Sequence, residues 1–143
     1  MKVLVSIALV CALAGCNTVP VSFSNATPAP ADRVLAFQTP PRGPSGTIVV
    51  TRDRGFNGSP CYYALFINGT LAARLATSET ATFYVPPGDL LLRSGRDPQG
   101  RGLCGTFKNE WTERETILKD GEKKYFRLSI ASNGKTDIER TDP

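Results

Sequence analysis

Three two-residue turn signals, Asn68-Gly69, Asp120-Gly121 and Asn133-Gly134, each sit between short runs of β-branched and aromatic residues. An Asx-Gly pair favours a type I′ turn, because both central positions take positive φ, and that turn matches the twist of an antiparallel hairpin. Parallel neighbours would need long crossovers instead. The signals therefore make much of the predicted pairing sequential.

The runs between them read as strands. Residues 47–51 (Thr-Ile-Val-Val-Thr) are β-branched throughout. Residues 61–67 are apolar on both parities, as in a strand covered on both sides, and 70–75 return as its hairpin partner. In 80–85, Ala81, Phe83 and Val85 alternate with Thr80, Thr82 and Tyr84. Pro86-Pro87-Gly88-Asp89 forces a turn, because proline cannot donate to a ladder, and 90–93 follow as a short strand. Residues 107–118 admit two readings. Glu113, Arg114 and Glu115 suit a short helix; the threonines and the Asp120-Gly121 turn suit a strand, which is preferred. Residues 123–131 alternate, with Phe126, Leu128 and Ile130 on one face, and 135–140 form a last strand. About eight short strands with turns every 8–12 residues predict an all-β fold, a small antiparallel sandwich.

The first 45 residues look different. Lys2 precedes an apolar run from Val3 to Ala14, broken only by Ser6. It is shorter than the roughly 20 residues a membrane-spanning helix needs, and fits the apolar region of a secretory signal. Residues 17–45 are rich in Pro, Ser, Thr and Ala, without helical or alternating period, and read as an extended tether. The expected division is a signal peptide at 1–15, a disordered tether at 16–45 and one sandwich at 46–143. A domain of that size holds a thin core, which a covalent staple would help.

Leu13-Ala14-Gly15-Cys16 resembles the bacterial lipobox: a leucine, two small residues, then cysteine. The resemblance implies that the Cys16 thiol is lipidated, that the chain is cut before it, and that the new amine is acylated. Small side chains suit the protease cleft. Cys11 follows bulky Val10 and leaves with the signal; the competing reading is an ordinary secretion signal with a chance cysteine. Several acyl chains at about 0.8 kcal/mol per buried CH2 anchor stably where one does not. Asn17 lacks the aspartate pattern of inner-membrane retention, so the resemblance implies an outer-membrane protein, anchored by lipid and facing the periplasm.

Cleavage there leaves 128 of the 143 residues, with Cys61 and Cys104 as an even pair. In an oxidising compartment these are expected to form a disulfide, two free thiols being the alternative. The net charge is +4, and +3 once Lys2 is removed, a mild basic bias that solubility explains. Nucleic acid is not an expected partner behind a secretion signal. Envelope proteins, cell-wall polymers and the membrane reached through the lipid are.

The stretch 47–93 resembles a family of small proteobacterial envelope lipoproteins carrying a domain of unknown function. The likeness rests on Ile48-Val49-Val50-Thr51-Arg52, on Ala64-Leu65-Phe66-Ile67-Asn68-Gly69, and on Phe83-Tyr84-Val85-Pro86-Pro87-Gly88. It implies a β-sandwich and brings no activity. Thr77-Ser78-Glu79 departs from the pattern, where a glycine would stand, and the Cys61–Cys104 pair is not a family feature.

The chain contains no histidine. Histidine-based triads, histidine-liganded zinc and histidine acid–base steps are therefore excluded. Two cysteines do not make a zinc site, and neither metal nor cofactor is expected. GxSxG and Walker signatures are missing from the sequence. Glu110, Glu113 and Glu115 could supply a glycosidase pair, though a solvated, salt-bridged face is the preferred reading. Arg52, Arg54, Arg93, Arg96 and Arg101 could gather into an anion-binding rim, with scattered solubilising arginines the simpler alternative. Tyr62, Tyr63, Tyr84 and Trp111 read as packing residues before a carbohydrate platform. The expectation is a non-catalytic envelope protein with a structural or protein-binding role; the alternative is a module binding peptidoglycan or an anionic glycan through its arginine loops.

Overall fold

The computed structural model describes residues 17–107 and 110–143. Nine strands form two packed sheets: β1 (Thr27–Pro28), β2 (Gly46–Arg52), β3 (Tyr63–Ile67), β4 (Thr70–Leu75), β5 (Glu79–Val85), β6 (Gly88–Arg96), β7 (Trp111–Leu118), β8 (Lys123–Ile130) and β9 (Thr136–Thr141). The first sheet has the order β1-β5-β2-β8-β9, the second β4-β3-β6-β7. The fold is the small all-β sandwich read from the sequence. Cys16 and residues 1–15 lie outside the described residues.

The core forms where the inward parities of the sheets meet. Ile48 and Val50 of β2, Phe83 of β5 and Leu128 of β8 face Leu65 and Ile67 of β3, Leu92 of β6 and Leu118 of β7. Gly46 begins β2 beneath Leu118; a Cβ there would lie 2.6 Å from the leucine Cγ. Residues 111–118 are a strand, paired along their length with β6.

Two of the three turn signals make hairpins. Asn68-Gly69 joins β3 to β4, with both residues at positive φ, and the 131–135 turn joins β8 to β9. Asp120-Gly121 does not. It carries the chain from β7 in the second sheet to β8 in the first. The turn is tied to the start of β2 instead, with Ser45 N–H donating to Asp120 Oδ1 at 3.0 Å and Gly121 N–H to Ser45 O at 2.9 Å. There Glu122 accepts from the Lys119 N–H, which holds its carboxyl below the usual range. β8 then pairs in parallel with β2 and β1 in parallel with β5, so the sandwich is not wholly antiparallel.

The tether reading is corrected. Residues 17–38 are largely extended, with single 3-10 turns at Phe23–Asn25 and Ala31–Arg33, and they are laid onto the sandwich as a strap. Residues 17–25 cross the outer face of the first sheet, where the Phe23 and Tyr125 rings meet edge-on at 5.9 Å. This cover explains why Val49 and Thr51, on the outward parity of β2, are buried. Farther on, the strap closes one side of the sandwich. The Thr27, Ala29 and Phe37 backbones bond along the open edge of β5, and Leu35 N–H donates to Ala72 O on the edge of β4. Such edges otherwise invite pairing with other chains. The folded unit therefore includes residues from 17 onward and does not begin at 46.

One ion pair latches the strap. Arg33 donates to both Glu79 carboxylate oxygens, at 2.6 and 2.5 Å, and to Arg74 O at 2.9 Å. Both side chains are nearly buried, so breaking the pair matters more than for a surface pair. Arg33→Ala is expected to weaken strap docking by about 2 kcal/mol, less than a fully buried pair would lose. Hydrogen exchange should then speed up roughly thirty-fold at the Thr27 and Ala29 amides, with the Val50 amide unchanged. Equal exchange at all three would contradict local latching.

Candidate functional site: the loop end of the sandwich

β2, β4, β6 and β8 all finish at one end of the sandwich, and β3, β5, β7 and β9 begin there. The connections 53–62, 76–78, 97–107 and 131–135 therefore stand at a common end. Cys61 and Cys104 join the first of these to the third as a disulfide, with Cα atoms 5.3 Å apart. Their separation of 43 residues makes this the covalent staple of the end.

Four of the five rim arginines reach this end, but they do not form one surface. Arg52 is a correction to the rim. It is the last residue of β2 and points inward between the sheets, 1 % exposed. It donates to Cys61 O at 2.6 Å, Leu75 O at 2.8 Å and Gly58 O at 2.8 Å, and its guanidinium lies 4.5 Å from the Tyr63 ring centroid. Burial lowers its pKa to about 10. Arg93 stands on the outer face of the second sheet, over Trp111 and paired with Glu113 at 2.6 Å. Arg54 and Arg101 are exposed in the two stapled loops. Arg96, at the end of β6, lies 5.4 Å from the Phe107 ring centroid.

A second cluster has almost no signal in the sequence. The Tyr62 ring holds Arg33 at 4.4 Å and Arg74 at 5.2 Å. Arg74 grips Asp97 through two nitrogens, at 2.5–3.0 Å. The hydrogen bond to Asp97 is the main reason that the Arg74 guanidinium pKa is raised, as Glu79 does for Arg33. Asp53, buried beside the same end, accepts from Arg127 and from Thr18 Oγ1 at 2.8 Å. These carboxylates are committed to guanidinium partners and hold loops in place. The residues come from positions 18 to 127, so no local spacing announces them. An arginine in the otherwise apolar 70–75 run was the one available hint.

The carboxylates 110, 113 and 115 do not converge on a cleft. Glu113 is engaged by Arg93 and Glu115 lies farther along β7 in a shallow depression with Asp89 and Ile117. Tyr63 is buried, and Trp111 packs edge-on against Phe66 at 5.3 Å.

At the loop end a cleft of about 390 Å³ is lined by Arg96, Phe107, Glu110, Trp111, Asn133 and Lys135, among others. It mixes cations, a carboxylate, aromatic edges and the Asn133 amide. No family model and no curated protein matches the chain.

Proposed function

We propose that this is a lipid-anchored, non-catalytic protein of the cell envelope, acting in a structural or protein-binding role at the outer membrane. The lipobox-like Leu13-Ala14-Gly15-Cys16 and the likeness of 47–93 to small envelope lipoproteins support it. The observation that carries it is the seating of Asn17. Its Oδ1 accepts from Ser132 N–H at 2.9 Å, and Thr18 N–H donates to Ile130 O at 3.1 Å. A lipid on Cys16 would thus be joined to the folded body through a single residue. The Cys61–Cys104 disulfide agrees with an oxidising compartment.

The test is metabolic labelling with an alkynyl fatty acid. Label should enter the wild-type chain, and Cys16→Ser should carry none and leave the membrane fraction. Label persisting on that variant would refute lipidation at Cys16.

A second reading has its own support. The cleft between Arg96, Phe107, Trp111 and Lys135 pairs cations with aromatic surface, as an anionic glycan would require. Salt-sensitive capture by purified cell-wall sacculi would favour it, since salt screens exposed charges. Absence of capture at low salt would remove it.

A further inference from the structure

We propose that the loop end is a membrane-docking surface, with Phe56, Leu103 and Phe107 entering the headgroup layer of an anionic bilayer while Arg54 and Arg101 meet lipid phosphates. The proposal rests on the lipid-anchor reading for the orientation of the chain.

Three observations converge on it. The first is apolar exposure: Phe56 is 97 % exposed, Leu103 86 % and Phe107 62 %. One exposed apolar side chain is ordinary. Here three large ones stand on two loops that a disulfide holds together, so their display survives loop motion. Amphipathic elements of this kind insert into the boundary between headgroups and acyl chains.

The second is charge. Residues 54–62 and 98–107 contain Arg54 and Arg101 and no aspartate or glutamate. The two aspartates that precede these segments are turned away, while Glu110 beyond the second is exposed beside the Phe107 cleft. Asp53 and Asp97 are each 1 % exposed and paired, with Arg127 and Arg74. Within residues 54–62 and 98–107 the exposed guanidinium charge therefore meets no carboxylate, and basic residues near an anionic leaflet strengthen binding about fivefold each. The turn at the other end, Lys119-Asp120-Gly121-Glu122, is mixed in sign.

The third is where the chain leaves. Asn17 and Thr18 are pinned to Ser132 and Ile130, and Val19 bridges Arg54, two residues before Phe56. An anchor at Cys16 emerges at the apolar end, on a stalk too short to let the other end turn to the membrane.

The experiment uses the full-length chain, recovered in detergent and reconstituted into vesicles of phosphatidylethanolamine and phosphatidylglycerol. Trp111, the single tryptophan, is replaced by phenylalanine. A reporter indole is then introduced by Phe56→Trp or, on a surface away from the loop end, by Ile117→Trp. Brominated lipids should quench the first strongly and the second hardly at all. Arg54→Gln with Arg101→Gln should lower the docked-to-undocked ratio about thirty-fold. Equal quenching of both indoles, or of neither, would overturn the proposal. So would quenching unaffected by removing the arginines, or protection of the position-56 indole by sacculi but not by vesicles. The anchor is scored separately by acyl labelling. Acylated protein that floats with vesicles while its position-56 indole stays wet overturns docking alone. Unacylated protein whose position-56 indole is quenched by excess anionic vesicles overturns the anchor and supports docking.

Discussion

Arg52→Ala is expected to lower folding stability by about 4 kcal/mol. Arg52 is the hub on which the loop end is assembled, and its three acceptors belong to three places: Gly58 within the loop, Cys61 at the staple and Leu75 at the end of β4. Each bond from a charged donor contributes about 1.5–3 kcal/mol, and each carbonyl left buried without a partner is penalised by about 1–3 kcal/mol. Desolvation opposes this. Burial drops the Arg52 pKa to about 10, so below that pH the native state bears the full penalty of a buried cation. The carbonyl bonds and the Tyr63 ring must outweigh it. Arg52→Lys should recover less than half of the loss, because an ammonium lacks the planar fork that reaches three separated oxygens. Urea denaturation checks both variants. A ligand-binding arginine on an exposed rim would leave stability nearly unchanged when truncated, so an unaltered midpoint for Arg52→Ala would contradict the buried role.

The second large effect is expected from the staple. Cys61→Ser with Cys104→Ser opens a loop whose ends are 43 residues apart. In the chain-entropy account that loses about 4 kcal/mol. For a domain of this size the midpoint of thermal unfolding should fall by roughly 10–20 °C. Total stabilities of 5–15 kcal/mol are usual, so either change removes a large share. The two are not independent, since Arg52 holds the Cys61 carbonyl. Combining them should give a loss smaller than the sum, because each prepares the loop for the other's absence. Scanning calorimetry of both variants and of their combination measures this, and strict additivity would contradict the shared loop. Alkylation of the native protein without reductant should label neither Cys61 nor Cys104.

What was legible in the sequence follows from range. The Asn68-Gly69 and Asn133-Gly134 hairpins were readable because turn chemistry and alternation are local. Asp120-Gly121 carries the same chemistry and still fails as a hairpin. A turn reverses the chain, but whether the next strand pairs with the last is decided by what β2 offers β8 across the first sheet. The strap was misread for a related reason. A proline-rich segment shows no period, yet it packs through isolated contacts such as Thr18 on Asp53, Arg33 on Glu79 and the Phe37 backbone on β5. The arginines split likewise. Composition placed several on loops, but only the fold turns Arg52 inward to three carbonyls while Arg54, two residues on, stays in water. The disulfide was readable because elimination left two cysteines.

The contact between Thr18 and Ile130 spans 112 residues. A ribosome, or a channel that passes the chain from its amino terminus, delivers Thr18 112 residues before its partner. The strap therefore emerges long before it can lock. Until β8 arrives, β2 lacks its parallel neighbour and its outer cover together, and stays open to mispairing. A chain built this way completes its first sheet only once β8 has been delivered.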